Sequence, residues 1–261
     1  MVNSMNEKVA IVTGGSGGIG SAICKAFVNS GSNVSVADLD MSAAKTTAKK
    51  ISGGAKNAVA THVDVTNEFS VESAVNQAIK HFGRIDYLVH CAGNNIKAPI
   101  LNMTLSQWKS SLDIHLTGAF LLSKAVATQM VKQGEGGRIV FISSVAGITP
   151  VPERGSYGPA KAGMINLAGM LSLEWAKHKI NVNAVCPGVA LTPMTKLVYE
   201  REPELRAERL KRMPLNREVM PEEIADLVLF LCSEKSAYIT GTAIPIDGGF
   251  LNSAFFRESD E

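Results

Sequence analysis

A tyrosine and a lysine in the run Tyr157-Gly158-Pro159-Ala160-Lys161 follow closely on a pair of serines, Ser143-Ser144. At that spacing on a helix the phenol and the ammonium project from one face, one turn apart, so each feels the other's charge. Free tyrosine titrates near pH ~10; a cation held close favours phenolate and lowers that value, which suits the group to proton transfer near neutrality. The run Arg138-Ile139-Val140-Phe141-Ile142 before the serines reads as a buried strand. Its carboxyl end would carry the hydroxyls, at the edge of an open α/β sheet where ligands bind. A hydroxyl, a phenol and an ammonium converging there can take a proton from an alcohol or give one to a carbonyl oxygen. Tyr-x-x-x-Lys also arises in ordinary helices, so its weight depends on the elements around it.

Those elements alternate in period. Lys8 to Thr13 is a short β-branched run that stops at Gly14-Gly15-Ser16-Gly17-Gly18-Ile19-Gly20, after which Ile23, Ala26 and Phe27 share a helical face. Strand, glycine loop and helix form the setting of a phosphate-binding turn. Glycine lets main-chain N–H groups approach a pyrophosphate, and the helix amino terminus adds partial positive charge. Asn33 to Asp38 is a second strand ending in an acid. A carboxylate there can accept hydrogen bonds from the adenosine ribose and repels a 2′-phosphate, which predicts NAD rather than NADP. Ser16, Gly17 and Leu39 stand where chains that choose NADP often place Arg or Lys. The alternative for Asp38 is a solvated turn residue ahead of Asp40.

Ala58 to His62 is a third strand leading into Val63-Asp64-Val65-Thr66. Asp64 and Val65 are candidates for the adenine side; the Asp64 carboxylate could accept from the adenine amino group, cap the helix that starts near Asn67, or both. Ile85 to Gly93 is a fourth strand whose last residues, Cys91, Ala92 and Gly93, are small enough to let backbone lie against a cofactor ring or ribose. Trp108 to Met130 reads as one long helix containing His115, and a second long helix ends at His178. Neither can be covered fully by one sheet face, so a homo-oligomer, tetramer or dimer, is expected. Asn181 to Cys186 is a sixth strand broken by Pro187-Gly188. The Val189 backbone and Thr192 could grip a carboxamide, while Met194, Leu197, Val198 and the charged stretch around residues 190–213 read as a lid. Arg154 could meet an anionic substrate or face water, the latter being favoured. Helix Pro221 to Cys232 and strand Ala243 to Ile246 complete a βα alternation that predicts one α/β domain over residues 1–261, a doubly wound parallel sheet of about seven strands. Phe255 and Phe256 are expected to pack on a neighbour.

Bulk properties narrow the function classes. Of 261 residues, 46% are hydrophobic, enough for a substantial core, and the net charge of +2 is spread without a long basic block. Neither nucleic acid nor an anionic membrane is expected as a partner. Four cysteines, Cys24, Cys91, Cys186 and Cys232, are scattered with no CxxC and no nearby histidine at metal-ligand spacing, which predicts reduced thiols and no metal site. A polar start leaves no room for a signal peptide, and no apolar run approaches spanning length, so a soluble cytoplasmic protein is expected.

Taken together, the motifs resemble, from end to end, the single-domain branch of the short-chain dehydrogenase/reductase family, whose members include 3-oxoacyl-[acyl-carrier-protein] reductases and NAD-dependent secondary-alcohol and polyol dehydrogenases. Thr13-Gly14-x-x-x-Gly18-x-Gly20 looks like its cofactor loop, Ser144 with Tyr157-x-x-x-Lys161 like its catalytic set, Pro187-Gly188 with Thr192 like its nicotinamide-side motif, and Asp247-Gly248-Gly249 like its carboxyl-terminal signature. The resemblance implies a Rossmann fold, Tyr157 as general acid/base, Lys161 lowering the tyrosine pKa and binding the nicotinamide ribose, and Ser144 orienting the substrate oxygen. Hydride would pass between substrate carbon and nicotinamide. Two departures stand out. His115 occupies the place of a usual asparagine whose backbone holds a relay water behind the lysine; the histidine backbone could hold that water, its imidazole could join the relay, or the ring could be bonded locally. His90-Cys91 replaces the two asparagines usual before Ala92-Gly93. The expected activity is NAD(H)-dependent interconversion of a secondary alcohol and a ketone. The alternatives are an NADPH-dependent 3-oxoacyl-thioester reductase and, more remotely, a dinucleotide-binding scaffold without turnover.

Overall fold

The computed structural model describes residues 5–255. Seven short runs form one parallel sheet: β1 (Val9–Thr13), β2 (Asn33–Asp38), β3 (Ala58–His62), β4 (Tyr87–His90), β5 (Gly137–Ile142), β6 (Ile180–Pro187) and β7 (Ala243–Ile246), in the order β3-β2-β1-β4-β5-β6-β7. Central strands such as β1 and β4 are buried along their whole length, as apolar runs must be when helices cover both faces. Alternate side chains then feed two separate cores. Ile11, Leu88 and Phe141 face α3 (Glu68–Phe82), α5 (Gly118–Gln133) and α6 (Tyr157–Trp175); Val12, Val89 and Val140 face α1 (Gly18–Asn29), α2 (Met41–Ser52) and α9 (Pro221–Cys232). From β1 the chain runs first toward β2 and β3 and later toward β4 and beyond. The carboxyl ends of β1 and β4 therefore border the crevice where strand order reverses, the place such sheets offer to ligands.

Most element boundaries fall where the sequence puts them, and three do not. The helix expected over Trp108 to Met130 is α4 (Leu105–Leu112) and α5 joined by a π turn, Asp113–Thr117, which accommodates one extra residue and carries His115 at its centre. The charged stretch is two helices, α7 (Pro193–Arg201) and α8 (Pro203–Leu210), because Pro203 starts a new helix where it cannot continue the old one. The cap of α3 is Asn67, whose side chain accepts from the Ser70 N–H, and not Asp64, whose carboxylate folds onto the Thr66 N–H and hydroxyl at 2.9 and 2.7 Å. Phe120 on α5 and Met170 and Leu173 on α6 remain exposed. No helix among the described residues is long and apolar enough to cross a membrane. Phe256, and the side chain of Phe255, lie outside the described residues.

A 3-10 turn, Val145–Gly147, carries Ser144 across the start of α6, and Gly147 makes that contact possible. A Cβ there would lie 2.7 Å from the Lys161 carbonyl carbon and 2.9 Å from the Ala162 nitrogen, both rigid backbone. Replacing Gly147 by Ala is expected to push the turn off α6 at a cost of about 1–3 kcal/mol. Urea unfolding of the variant against the wild type measures it, and an unchanged midpoint would refute the close-approach account.

Candidate active site

The β1–α1 turn is built to leave donors free. Gly17 caps α1 without a side chain, its own N–H turning back to the Gly14 carbonyl at 3.1 Å, and the first turn of α1 carries no acidic side chain. The N–H groups of Gly18 and Ile19 have no acceptor among the described residues and face a cavity, as a phosphate site at a helix amino terminus requires, while the Gly20 N–H is directed at the Cys91 sulfur. A Cβ on Gly20 would collide with the Gly14 carbonyl, so the turn is closed too tightly for any other residue. At the end of β2, Asp38 is anchored by the same turn: its Oδ2 accepts from the Ser16 N–H at 3.0 Å and the Ser16 hydroxyl at 2.5 Å, and its Oδ1 from the Asp40 N–H at 3.1 Å. Leu39 beside it is 65% exposed and Asp64 and Val65 line the same wall. Thr66 holds the Asp64 carboxyl below its ordinary range by donating side-chain and backbone hydrogen bonds.

The cavity, about 1690 Å³, continues along the carboxyl ends of β4, β5 and β6 and exceeds the roughly 300–1,000 Å³ usual for one small ligand. Cys91, Ala92 and Gly93 line it after β4; Pro187, Gly188, Val189, Thr192 and Met194 line it after β6. The Val189 carbonyl is engaged by the Val219 N–H, while the Val189 N–H has no acceptor among the described residues. The Thr192 hydroxyl caps α7, accepting from the Thr195 N–H at 3.3 Å. All of the candidate catalytic and cofactor-binding residues thus border one space. Free N–H donors, an anchored carboxylate and small residues along a sheet edge fit an elongated dinucleotide with its pyrophosphate at the start of α1.

Ser144, Tyr157 and Lys161 meet in the middle of this cavity. The two serines divide their work: the Ser143 hydroxyl donates to the Lys161 carbonyl at 2.9 Å and pins α6 to β5, whereas Ser144 lies beside the phenol. Lys161 is 4% exposed and donates to the Ile142 carbonyl at 2.7 Å, with its nitrogen 5.5 Å from the centre of the Tyr157 ring. Burial pushes its pKa down to about 8, against the pull of Cys91 and Cys186. The tyrosine pKa is not lowered by this lysine as expected. Burial raises the Tyr157 pKa, and the opposing influences come from the Ser144 hydroxyl and the Arg154 guanidinium. The physical reason is that the phenol is buried, while the lysine nitrogen is bonded to the Ile142 carbonyl.

His115 is buried in the π turn with its ring edge-on to Tyr157, 5.3 Å between centroids. Its Nε2 lies 3.0 Å from the Asn94 carbonyl and 3.3 Å from the Asn94 nitrogen, and its Nδ1 has no partner among the described residues. Gly93 is obligatory beneath it, since a Cβ there would overlap the imidazole. The His115 carbonyl, the expected holder of a relay water, accepts from His90 Nε2 at 3.1 Å. That bond fixes the His90 tautomer: Nε2 carries the proton, so Nδ1 accepts from the Thr13 hydroxyl at 2.9 Å, and Thr13 in turn accepts from the Ala92 N–H at 3.4 Å. The two departures in the sequence are therefore one feature. Three participants went unread in the sequence: Asn94, the Ile142 carbonyl and Arg209, which borders the outer cavity from α8. A backbone acceptor leaves no mark in residue type, and an arginine among many charged neighbours carries no signal of its own.

The family model described as enoyl-(acyl carrier protein) reductase matches residues 14–251. The uncharacterized oxidoreductase YohF of Escherichia coli is 37% identical over 245 residues, covering 94% of this chain and 96% of its own. The 3-oxoacyl-[acyl-carrier-protein] reductase FabG of Thermotoga maritima is 35% identical over 247 residues, covering 95% and 99%. The crystal structure of gox2181 superposes with a TM-score of 0.91 at 34% identity, covering 96% of this chain and 98% of that one.

Both histidines are buried neutral. Burial first, then the Lys161 charge, pushes His90 down to about 3 and His115 to about 2. Because these folded values lie below the unfolded value near ~6.5, only the unfolded chain takes up the two protons between them. Stability is then complete above pH ~6.5 and falls as pH drops, by about 1.4 kcal/mol per pH unit for each histidine. Unfolding free energies of wild type and of the His90→Asn/His115→Asn double variant across pH 4–7 check this: the variant should have the shallower slope, and equal slopes would refute the assignment.

Proposed function

The chain belongs to the short-chain dehydrogenase/reductase family of oxidoreductases, and we propose that it passes hydride between NAD(H) and the carbinol carbon of a secondary alcohol or the carbonyl carbon of the matching ketone. One observation carries this: Ser144, Tyr157 and Lys161 border the same cavity as the free N–H groups of α1 and the Asp38 carboxylate. The nicotinamide, when bound, supplies or accepts the hydride. The Ser144 hydroxyl donates to the substrate oxygen and orients it; the Tyr157 hydroxyl gives that oxygen a proton in reduction and takes it back in oxidation. Lys161 presents its remaining N–H donors to the nicotinamide ribose. The Val189 N–H is free to hold the carboxamide. Gly18 and Ile19 bind the pyrophosphate through backbone, and Asp38 accepts from the adenosine ribose. Met194 and Val198, which border the cavity from α7, form a lid over the substrate. His115 holds the Asn94 segment against the site. The apolar faces of α5 and α6 support a homo-oligomer.

Asp38 favours NAD. A 2′-phosphate would meet a carboxylate already fixed by two hydrogen bonds from Ser16, with no cation in the turn to answer it. A second reading, NADPH-dependent reduction of a 3-oxoacyl thioester, is favoured by the name of the Thermotoga relative and opposed by Asp38.

Initial rates with NADH and NADPH on a panel of ketones separate the two, and NADH should win. A strong NADPH preference would overturn the cofactor assignment. Tyr157→Phe should lower kcat by about 10²–10⁴; turnover equal to the wild type would remove Tyr157 from the chemistry. His115→Asn should retain activity within about a hundredfold, or ~2.7 kcal/mol of barrier, and a larger loss would require the imidazole itself.

A further inference from the structure

Two arginines face the substrate end of the cavity without a carboxylate partner among the described residues. Arg154 comes from the loop before α6 and Arg209 from α8, and both are half-buried. Arg154 spends one N–H on the Asn95 side-chain oxygen at 2.8 Å. Arg209 reaches the Tyr199 hydroxyl at 3.4 Å and lies over the buried Tyr199 ring, its guanidinium carbon 5.6 Å from the centroid, which fixes the plane it presents. Each guanidinium offers five donors, so most of those on both are unspent among the described residues. Three neighbouring arginines behave otherwise: Arg206 pairs with Glu218 at 2.9 Å, Arg212 with Glu208 at 3.0 Å and Arg217 with Glu223 at 2.6 Å.

The two charges are near enough to oppose one another. After burial, Arg209 is the influence that lowers the Arg154 pKa, and Arg154 in turn acts on the Tyr157 phenol. Glu153, Glu202 and Glu208 border the same region, but all three are exposed and Glu208 is already engaged. Solvent screens them more than it screens the half-buried guanidiniums. Like charges on one cavity wall, with planar donor forks largely unspent and the neighbouring acids exposed, are the arrangement that bidentate recognition of an oxyanion uses.

Resting on the dehydrogenase reading above, we propose that the substrate is anionic: its carboxylate, phosphate or sulfonate sits between Arg154 and Arg209 while its carbinol or carbonyl carbon lies at Ser144 and Tyr157. A neutral substrate would leave the two guanidiniums facing each other unrelieved, which makes the site selective by penalty as well as by attraction.

Two measurements test this. In the first, kcat/KM is compared for 3-hydroxybutyrate and 2-butanol, which share the reacting group and differ in the carboxylate, and for glycerol 1-phosphate and 1,2-propanediol. The wild type should favour at least one anionic member by about tenfold or more, ~1.4 kcal/mol, and Arg154→Gln/Arg209→Gln should bring that ratio close to one, chiefly through KM. In the second, the thermal midpoint is followed as sodium sulfate replaces sodium chloride at constant ionic strength. Sulfate's general stabilising effect acts on wild type and double variant alike, so a larger rise in the wild type reports the arginine site. Preference for the neutral members, or ratios untouched by the double substitution, would overturn the proposal while leaving the dehydrogenase reading standing. Absence of turnover on every compound would count against that reading instead, and the sulfate difference would then decide the anion site: an equal response in both proteins overturns it.

Discussion

The buried ammonium of Lys161 is the constraint around which this structure is arranged. Removing a cation from water is costly unless other groups receive it. Here the receipt is spare: one carbonyl at the end of β5, two thiols whose charge would favour it, and an open cavity on the remaining side. An amine held that way keeps donors in reserve. Its carbonyl partner is available because β5 ends at Ile142, and its place on α6 is secured by Ser143 binding the lysine's own carbonyl. The strand end, the serine pair and the helix start are a single mechanical unit.

Beneath that unit lies a layer of neutral polar groups. His90 and His115 occupy positions next to the lysine where any further positive charge would be repelled, and both stay uncharged. The hydrogen-bond chain from Ala92 through Thr13 and His90 to the His115 carbonyl crosses from β1 to β4 to the π turn. It ties the phosphate-binding side of the sheet to the wall behind the phenol. Each member has one proton assignment open to it, so the chain is directional and rigid.

Much of this was legible in the residues. Strand β2, strand β3, helix α9 and strand β7 end where glycine, proline and acid residues say they should, because turn chemistry is local. The site candidates all reach one cavity because a parallel sheet collects strand ends on one edge. What failed to show depends on packing. The π turn is invisible to a 3.6-residue periodicity that runs almost unbroken through Trp108 to Met130. The bond from the lysine to the Ile142 carbonyl follows from where β5 stops. Arg154 looked like a surface residue until α8 folded opposite it, bringing a second cation from a segment whose alternating charges read as ordinary solvated helix.

The π turn also has an evolutionary meaning. One residue more than a regular helix needs is stored in Asp113–Thr117, so α4 and α5 are out of phase by roughly 100°, the angle each helical residue subtends. Losing a single residue there would restore an ordinary helix and rotate α4 about its axis, dragging with it the Ser110 hydroxyl that receives the Asn94 amide at 3.2 Å. Length in this segment is thus as tightly specified as residue identity: substitutions can be absorbed one at a time, whereas an insertion or deletion would reassign which side of α4 looks into the cavity.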